Sequence, residues 1–134
     1  MAGIEGNASG AKVLVVEDEA LIACDLQQIL ETHGYKVIGP AASLARAFDL
    51  IEQETPELAL LDVNLGAADS FALADVLAAR NCEIIFVTGH SRYWISAAHR
   101  HRTVVEKPFL PRDLIAKVEE GLEASSGAPR RRSA

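Results

Sequence analysis

Long apolar runs are missing from this chain. None approaches the roughly 20 residues that a membrane-spanning helix requires, and the N-terminus lacks the basic start and apolar centre of a secretory signal. A cytoplasmic location without membrane partners is the expectation. Cysteine is scarce: Cys24 and Cys82 lie far apart and form no Cys-x-x-Cys pair, which argues against a disulfide framework or a zinc site. Both are expected to be buried thiols of a reduced compartment. Basic residues are in deficit as well. The formal charge is -6, and three of the 13 basic residues, Arg130, Arg131 and Arg132, stand at the very end. Residues 1–129 thus set ten basic against 19 acidic residues, a charge of -9. Such a field repels nucleic acid and favours a carboxylate-lined cation site or a basic partner.

What is present fits one globular domain: 134 residues, of which 49% are hydrophobic. Val13-Leu14-Val15-Val16 reads as a buried strand that runs into Glu17-Asp18-Glu19. Ile22, Leu26, Ile29 and Leu30 then repeat on one face of a helix closed at Gly34. A second strand is expected over Tyr35 to Gly39, and a helix capped by Ser43 carries Leu44, Phe48 and Ile51 until Pro56. Leu58-Ala59-Leu60-Leu61 is an unbroken apolar run, the mark of a strand covered on both faces, and it ends in Asp62. After Gly66 a helix starts near Asp69 or Ser70 and buries Leu73, Val76 and Leu77. Glu83 to Val87 is the fourth strand, ended by Thr88-Gly89, and Val104-Val105 is a brief fifth, followed by Glu106-Lys107-Pro108-Phe109. Pro111 opens a last helix bearing Leu114, Ile115, Val118 and Leu122, in which Gly121 costs about 1 kcal/mol relative to Ala. Between His90 and Arg102 no helical period is sustained, so at most a short or poorly ordered helix is expected there.

Five strands alternating with helical segments give an α/β domain, a parallel sheet covered on both faces. The functional crevice of such sheets lies at the carboxyl ends of the strands, where strand order reverses. Glu17, Asp18, Asp62, Thr88 and Lys107 all follow strand ends, so that edge gathers them. Two like charges about 4 Å apart repel by about 4 kcal/mol at an effective dielectric of 20, and three clustered carboxylates therefore call for a cation. An all-oxygen site with few protein ligands suits Mg2+, which keeps part of its water shell and is commonly shared with a phosphoryl group. Lys107 adds a fixed positive charge, Thr88 a hydroxyl donor, and Asp62 a nucleophile able to form an aspartyl phosphate. Taken one by one these residues have plainer readings: Asp18 as a helix cap, Asp62 as a turn cap, Thr88 as a polar strand end, Lys107 as a solvated loop residue. Their joint placement favours the pocket.

In these residues the chain resembles the receiver domain of bacterial two-component response regulators, over Ala11 to Glu123. The resemblance rests on Glu17-Asp18, Asp62, Thr88 and Lys107-Pro108-Phe109, four motifs in order. It implies a doubly wound, flavodoxin-like sheet of strand order 2-1-3-4-5, with a mobile leader at 1–10, a receiver at 11–124 and a disordered basic tail at 125–134. It further implies a cis Lys107-Pro108 bond and Mg2+ held by Asp18, Asp62 and the Asn64 backbone carbonyl, with Glu17 acting through water. A histidine kinase would phosphorylate Asp62. The protein would not be an enzyme beyond self-catalysed phosphotransfer and autodephosphorylation, and with no output module in the remaining sequence it would signal through protein contacts or act as a phosphate relay or sink. Receivers usually carry Tyr or Phe three residues before the lysine; here that residue is Val104. Phe86-Val87-Thr88-Gly89-His90 is similar to the Phe-Ala-Thr-Gly-Tyr subgroup, departing at Val87 and His90. That likeness implies a kinase of the HWE or a related class and a segment 89–103 that phosphorylation orders. Asn64 and His90 occupy positions that tune dephosphorylation in receivers.

Two rivals stand beside this reading. A haloacid-dehalogenase-type phosphatase also uses a strand-end Asp with Mg2+, but it wants Asp where this chain has Asn64, and it normally carries a cap insertion. A receiver-shaped binding module that is never phosphorylated is the other. Elsewhere, His99-Arg100-His101-Arg102 reads as a solvated basic patch, Tyr93 and Trp94 as a docking surface or a loose lid, and Arg130 to Arg132 as a soluble tail.

Overall fold

The computed structural model describes residues 10–66, 68–89 and 94–126. The expected leader up to residue 9, His90, Tyr93 and the arginine run lie outside the described residues.

The apolar runs become the strands of one parallel sheet: β1 (Lys12–Val16), β2 (Lys36–Ala41), β3 (Leu58–Leu61), β4 (Glu83–Thr88) and β5 (Thr103–Glu106). Their spatial order is β2-β1-β3-β4-β5, so the chain reverses direction across the sheet between β1 and β3. This is the flavodoxin-like α/β architecture. Alternation along each strand divides the core in two. Leu14, Val16, Ala59, Leu61, Ile84 and Phe86 face α2 (Leu44–Gln53) and α3 (Phe71–Ala79). Val13, Val15, Leu58, Leu60, Ile85 and Val87 face α1 (Ala20–Thr32) and α4 (Pro111–Ser126). With each fully buried Val, Leu, Ile or Phe stabilising the fold by about 1.5–3 kcal/mol, these two layers fix the sheet and hence the rim at its carboxyl edge.

The Ser43 hydroxyl caps α2, accepting from the Arg46 N–H at 3.2 Å, and Glu19 stands before α1 with no side-chain cap. Asp18 is therefore not spent on the first helix. At α3 the capping bond comes from Asp69, whose Oδ1 accepts the Phe71 N–H at 3.1 Å. Gly121 has a packing role: a Cβ there would lie 2.8 Å from Leu58 Cδ1 and 3.1 Å from Glu83 Cγ, so a larger residue would require these side chains to shift.

Four expectations need correction. β2 does not stop at Gly39 but runs on to Ala41 past a register shift in its pairing with β1. Gly39 makes this possible with φ 97°, at a place where a Cβ would sit 2.7 Å from the Ala41 nitrogen. Among the described residues between β4 and β5 the one helical piece is a 3-10 turn (Ala97–His99), within the expectation of at most a short helix there. α4 extends through Ser126, beyond the expected domain end at 124. Cys24 is exposed, because the face set by Ile22, Leu26 and Leu30 leaves it on the far side of α1; Cys82 is buried, which pushes its thiol up to about 12. Val76 is only half-buried, with Leu73, Ala74 and Leu77 forming the inner face of α3.

His99 departs furthest from its expected place in a solvated patch. It is 3% exposed, stacked on Phe71 at 5.8 Å between centroids and edge-on to Phe86 at 6.0 Å. Its Nδ1 accepts the Arg102 Nε–H at 3.1 Å, which places the ring proton on Nε2, 2.7 Å from Asp75 Oδ1.

Candidate functional site

The sheet delivers its polar residues to one rim. β1 ends at Val16, whose carbonyl accepts the Asp62 N–H at 3.0 Å, so the Glu17-Asp18 turn and the end of β3 are fastened side by side. The Lys107 N–H donates to the Thr88 carbonyl at 2.9 Å and ties β5 to β4 in the same way. Lys107-Pro108 is cis.

Among the described residues, Glu17, Asp18 and Asp62 can each present a carboxylate oxygen within 4.8 Å of the others. Glu17 is 1% and Asp62 7% exposed, while Asp18 is open to solvent. The Lys107 ammonium enters from the opposite side, 2.9 Å from Glu17 Oε1 and 3.3 Å from Asp62 Oδ2. Glu19, an exposed residue that sequence reasoning left out of the site, also reaches Lys107, at 3.4 Å. Its place right after Glu17-Asp18 was the available signal. Asp62 Oδ1 further accepts the Asn64 N–H at 3.4 Å.

A cavity of about 320 Å³ opens over this group, lined by Asp18, Glu19, Asp62, Asn64, Gly66, Gly89 and Lys107. Thr88, fully buried, lies at the end of β4 beside Glu106 of β5, and Glu17 is likewise absent from the lining. The structure thus puts Asp18, Asp62, Asn64 and Lys107 on the cavity itself, with Glu17 and Thr88 at the strand ends next to it.

Burial pushes the Glu17 carboxyl up to about 7, against the Lys107 ammonium and the Glu19 N–H, which favour the charged form; the nearby Asp62 adds to the rise. Burial alone would lower Lys107, but Glu17 and Asp62 overcome it and hold the lysine above its ordinary value. One ammonium among four carboxylates, with Glu17 and Asp62 buried and Asp18 and Glu19 exposed, leaves net negative charge at the rim. Nearby oxygen donors and that excess of charge fit a small divalent cation.

Comparison with known proteins decides the family. The response regulator receiver domain matches residues 13–119. This chain belongs to that family. The receiver is 32% identical over 112 residues to the transcriptional regulatory protein PdtaR of Mycobacterium tuberculosis, covering 81% of this chain and 55% of that protein. It is 31% identical over 124 residues to the phyllosphere-induced regulator PhyR of Methylorubrum extorquens, covering 90% of this chain and 46% of the relative. The chain spans about half the length of these relatives. A CheY-like receiver domain protein from Methanospirillum hungatei superposes with a TM-score of 0.78 at 28% identity, over 89% of this chain and 98% of its own. A receiver domain of two-component signalling accounts for the fold and the rim together, and it displaces the phosphatase alternative. No described helix is long and apolar enough to cross a membrane.

Proposed function

We propose that this receiver accepts a phosphoryl group on Asp62 from the phosphohistidine of a histidine kinase, with Mg2+ as cofactor, and passes the signal on through protein contacts or as a relay or sink of phosphate. The observation that carries the reading is the meeting of Glu17, Asp18 and Asp62 within 4.8 Å, with the Lys107 ammonium at two of them. Asp18, Asp62 and the Asn64 carbonyl would hold the ion, with Glu17 acting through water. When bound, the ion neutralises charge shared between carboxylate and phosphoryl oxygens.

The chain's own groups do the rest. Asp62 Oδ forms the O–P bond as the donor's N–P bond breaks, and the leaving imidazole takes up a proton. Lys107 moves from shared contact with the carboxylates towards the new phosphoryl oxygens, and the Thr88 hydroxyl donates to one of them. Positioning and fixed charge suffice for this transfer, because its loose transition state needs little covalent help. The likeness of residues 86–90 to the Phe-Ala-Thr-Gly-Tyr subgroup supports a donor of the HWE or a related kinase class, and the lack of a long apolar run or a secretory signal in the sequence supports a cytoplasmic setting. Asn64 and His90 would tune hydrolysis of the aspartyl phosphate.

Intact-mass spectrometry after incubation with acetyl phosphate and Mg2+ tests the reading. One phosphoryl group is expected on the wild type and none on Asp62→Asn. An unmodified wild type would leave the chain as a receiver-shaped binding module instead.

A further inference from the structure

Resting on that acceptor reading, we propose that His99 is a positioning residue of the phosphoryl site, the centre of a buried polar and aromatic cluster that couples the rim to residues 94–102. The cluster joins three segments, and each leads directly to one of the pocket's functional groups. Phe71 and Asp75 belong to α3, which follows Asp62 through the short hairpin Asn64–Leu65 and Ala68–Asp69; the Ser70 N–H donates to the Val63 carbonyl at 3.0 Å. Phe86 stands two residues before Thr88, on the same face of β4. Arg102 immediately precedes β5, the strand that leads to Lys107. His99 contacts all three: Asp75 at 2.7 Å, Arg102 at 3.1 Å, and the rings of Phe71 and Phe86.

A displacement of Asp62, Thr88 or Lys107 at the rim therefore reaches the imidazole along at least one covalently continuous element. The ring is well suited to register it. It is 3% exposed and its two nitrogens have separate roles, so a shift of α3 relative to β5 lengthens a hydrogen bond that water is poorly placed to replace. Val104 is paired in register with Phe86 and is only half-buried, so this part of β5 offers no aromatic side chain of its own. His99, stacked on Phe71 and edge-on to Phe86, brings a ring to this cluster from a neighbouring segment. Ile95, fully buried, and the Arg100 Nε–H bond to its carbonyl at 3.0 Å extend the cluster to Trp94, which is 60% exposed and the sole tryptophan of the chain.

Coupling of this kind is reciprocal: if the rim acts on His99, the bonds of His99 act on the rim. The test uses the full chain with acetyl phosphate and Mg2+, in the wild type, in His99→Phe, which keeps the ring stack and loses both hydrogen bonds, and in Asp75→Ala. Intact mass gives the extent of phosphorylation and Trp94 emission reports on residues 94–102. The wild type is expected to change its emission when phosphorylated. Both variants should lose that change and differ from the wild type by about fivefold or more in extent at limiting donor, the lower end of usual coupling. A purely structural His99 would alter stability and leave the phosphorylation-dependent emission change intact. A phosphorylated wild type with unchanged emission, or variants that respond as the wild type does, would overturn this inference and spare the acceptor reading. A wild type that takes up no phosphoryl group would overturn both.

Discussion

The rim at the carboxyl edge of the sheet and the cluster around His99 are both polar groups set into an apolar domain, and they are balanced in opposite ways. At the rim, Glu17, Glu19 and Asp62 share the Lys107 ammonium with Asp18 close by, and burial pushes Glu17 up to about 7. At His99, acceptor meets donor on both nitrogens, the Phe71 ring stacks on one face and the Phe86 ring makes an edge contact. The first arrangement carries an excess of acidic charge; the second pairs its donors and acceptors internally. Crowded buried carboxylates cost stability, whereas a buried polar cluster whose hydrogen bonds are made recovers much of its desolvation cost internally.

Breaking the closed cluster should have the largest effect. His99→Ala empties the space beside Phe71 and Phe86 and leaves the Asp75 and Arg102 hydrogen bonds to the imidazole unmade, and is expected to destabilise the fold by about 3 kcal/mol, measured from urea unfolding at pH 7. His99→Phe refills the space and should recover more than half of that loss. Equal losses in both variants would mean that the hydrogen bonds, and not the packing, account for the energy.

The rim should answer pH where the cluster's packing does not. Glu17 in the folded protein holds its proton to about 7, above the ordinary 4.5. Between those values the folded state binds more protons than the unfolded one, so this group's contribution to stability falls as pH rises through the window. Lys107, raised by its carboxylate neighbours, contributes stability that is fully present in this range and is lost only at strongly alkaline pH. In EDTA the wild type should therefore lose on the order of 2 kcal/mol between pH 5 and pH 8 relative to Glu17→Gln. Parallel pH profiles for the two proteins would show that the buried carboxyl is already balanced. Next in size is Asp62→Asn, expected to stabilise the metal-free protein by about 1 kcal/mol by removing one of three repelling charges, while abolishing any Mg2+-dependent rise in melting temperature.

The two regions also differ in how far the sequence disclosed them. The rim could be read because strand ends are marked by abrupt changes from apolar to polar: Val16 to Glu17, Leu61 to Asp62, Val87 to Thr88, with Lys107 soon after Val105. Parallel topology then brings those ends to one edge whatever the packing details. Glu19 escaped notice because an exposed acidic residue near a helix start has an ordinary explanation in the helix dipole. The His99 cluster had no such marker. Its partners are 24 residues back in the chain at Asp75 and three ahead at Arg102, and a histidine that opens the run His99-Arg100-His101-Arg102 looks solvated until the rings of Phe71 and Phe86 are seen beside it. The extension of β2 past Gly39 was hidden for a related reason. Gly-Pro ordinarily punctuates a strand, and only the close approach of the neighbouring backbone shows why glycine is required there.

The smallest expected effect separates charge from hydrogen bonding within the closed cluster. Asp75 lies on the surface of α3 with its side chain 69% exposed, so much of its Coulombic attraction for any positive charge is screened by water. What it gives His99 is chiefly an acceptor for the Nε2 proton, and Asp75→Asn keeps an oxygen of the same reach. The substitution should therefore cost less than about 1 kcal/mol, whereas Asp75→Ala, which removes the acceptor and strands the buried Nε2–H, should cost about 1–2 kcal/mol. A loss in Asp75→Asn as large as in Asp75→Ala would mean that the carboxylate's charge holds the imidazole. The cluster would then be an ion pair sharing the electrostatic character of the rim, and the contrast between the two regions would fail at its closed end.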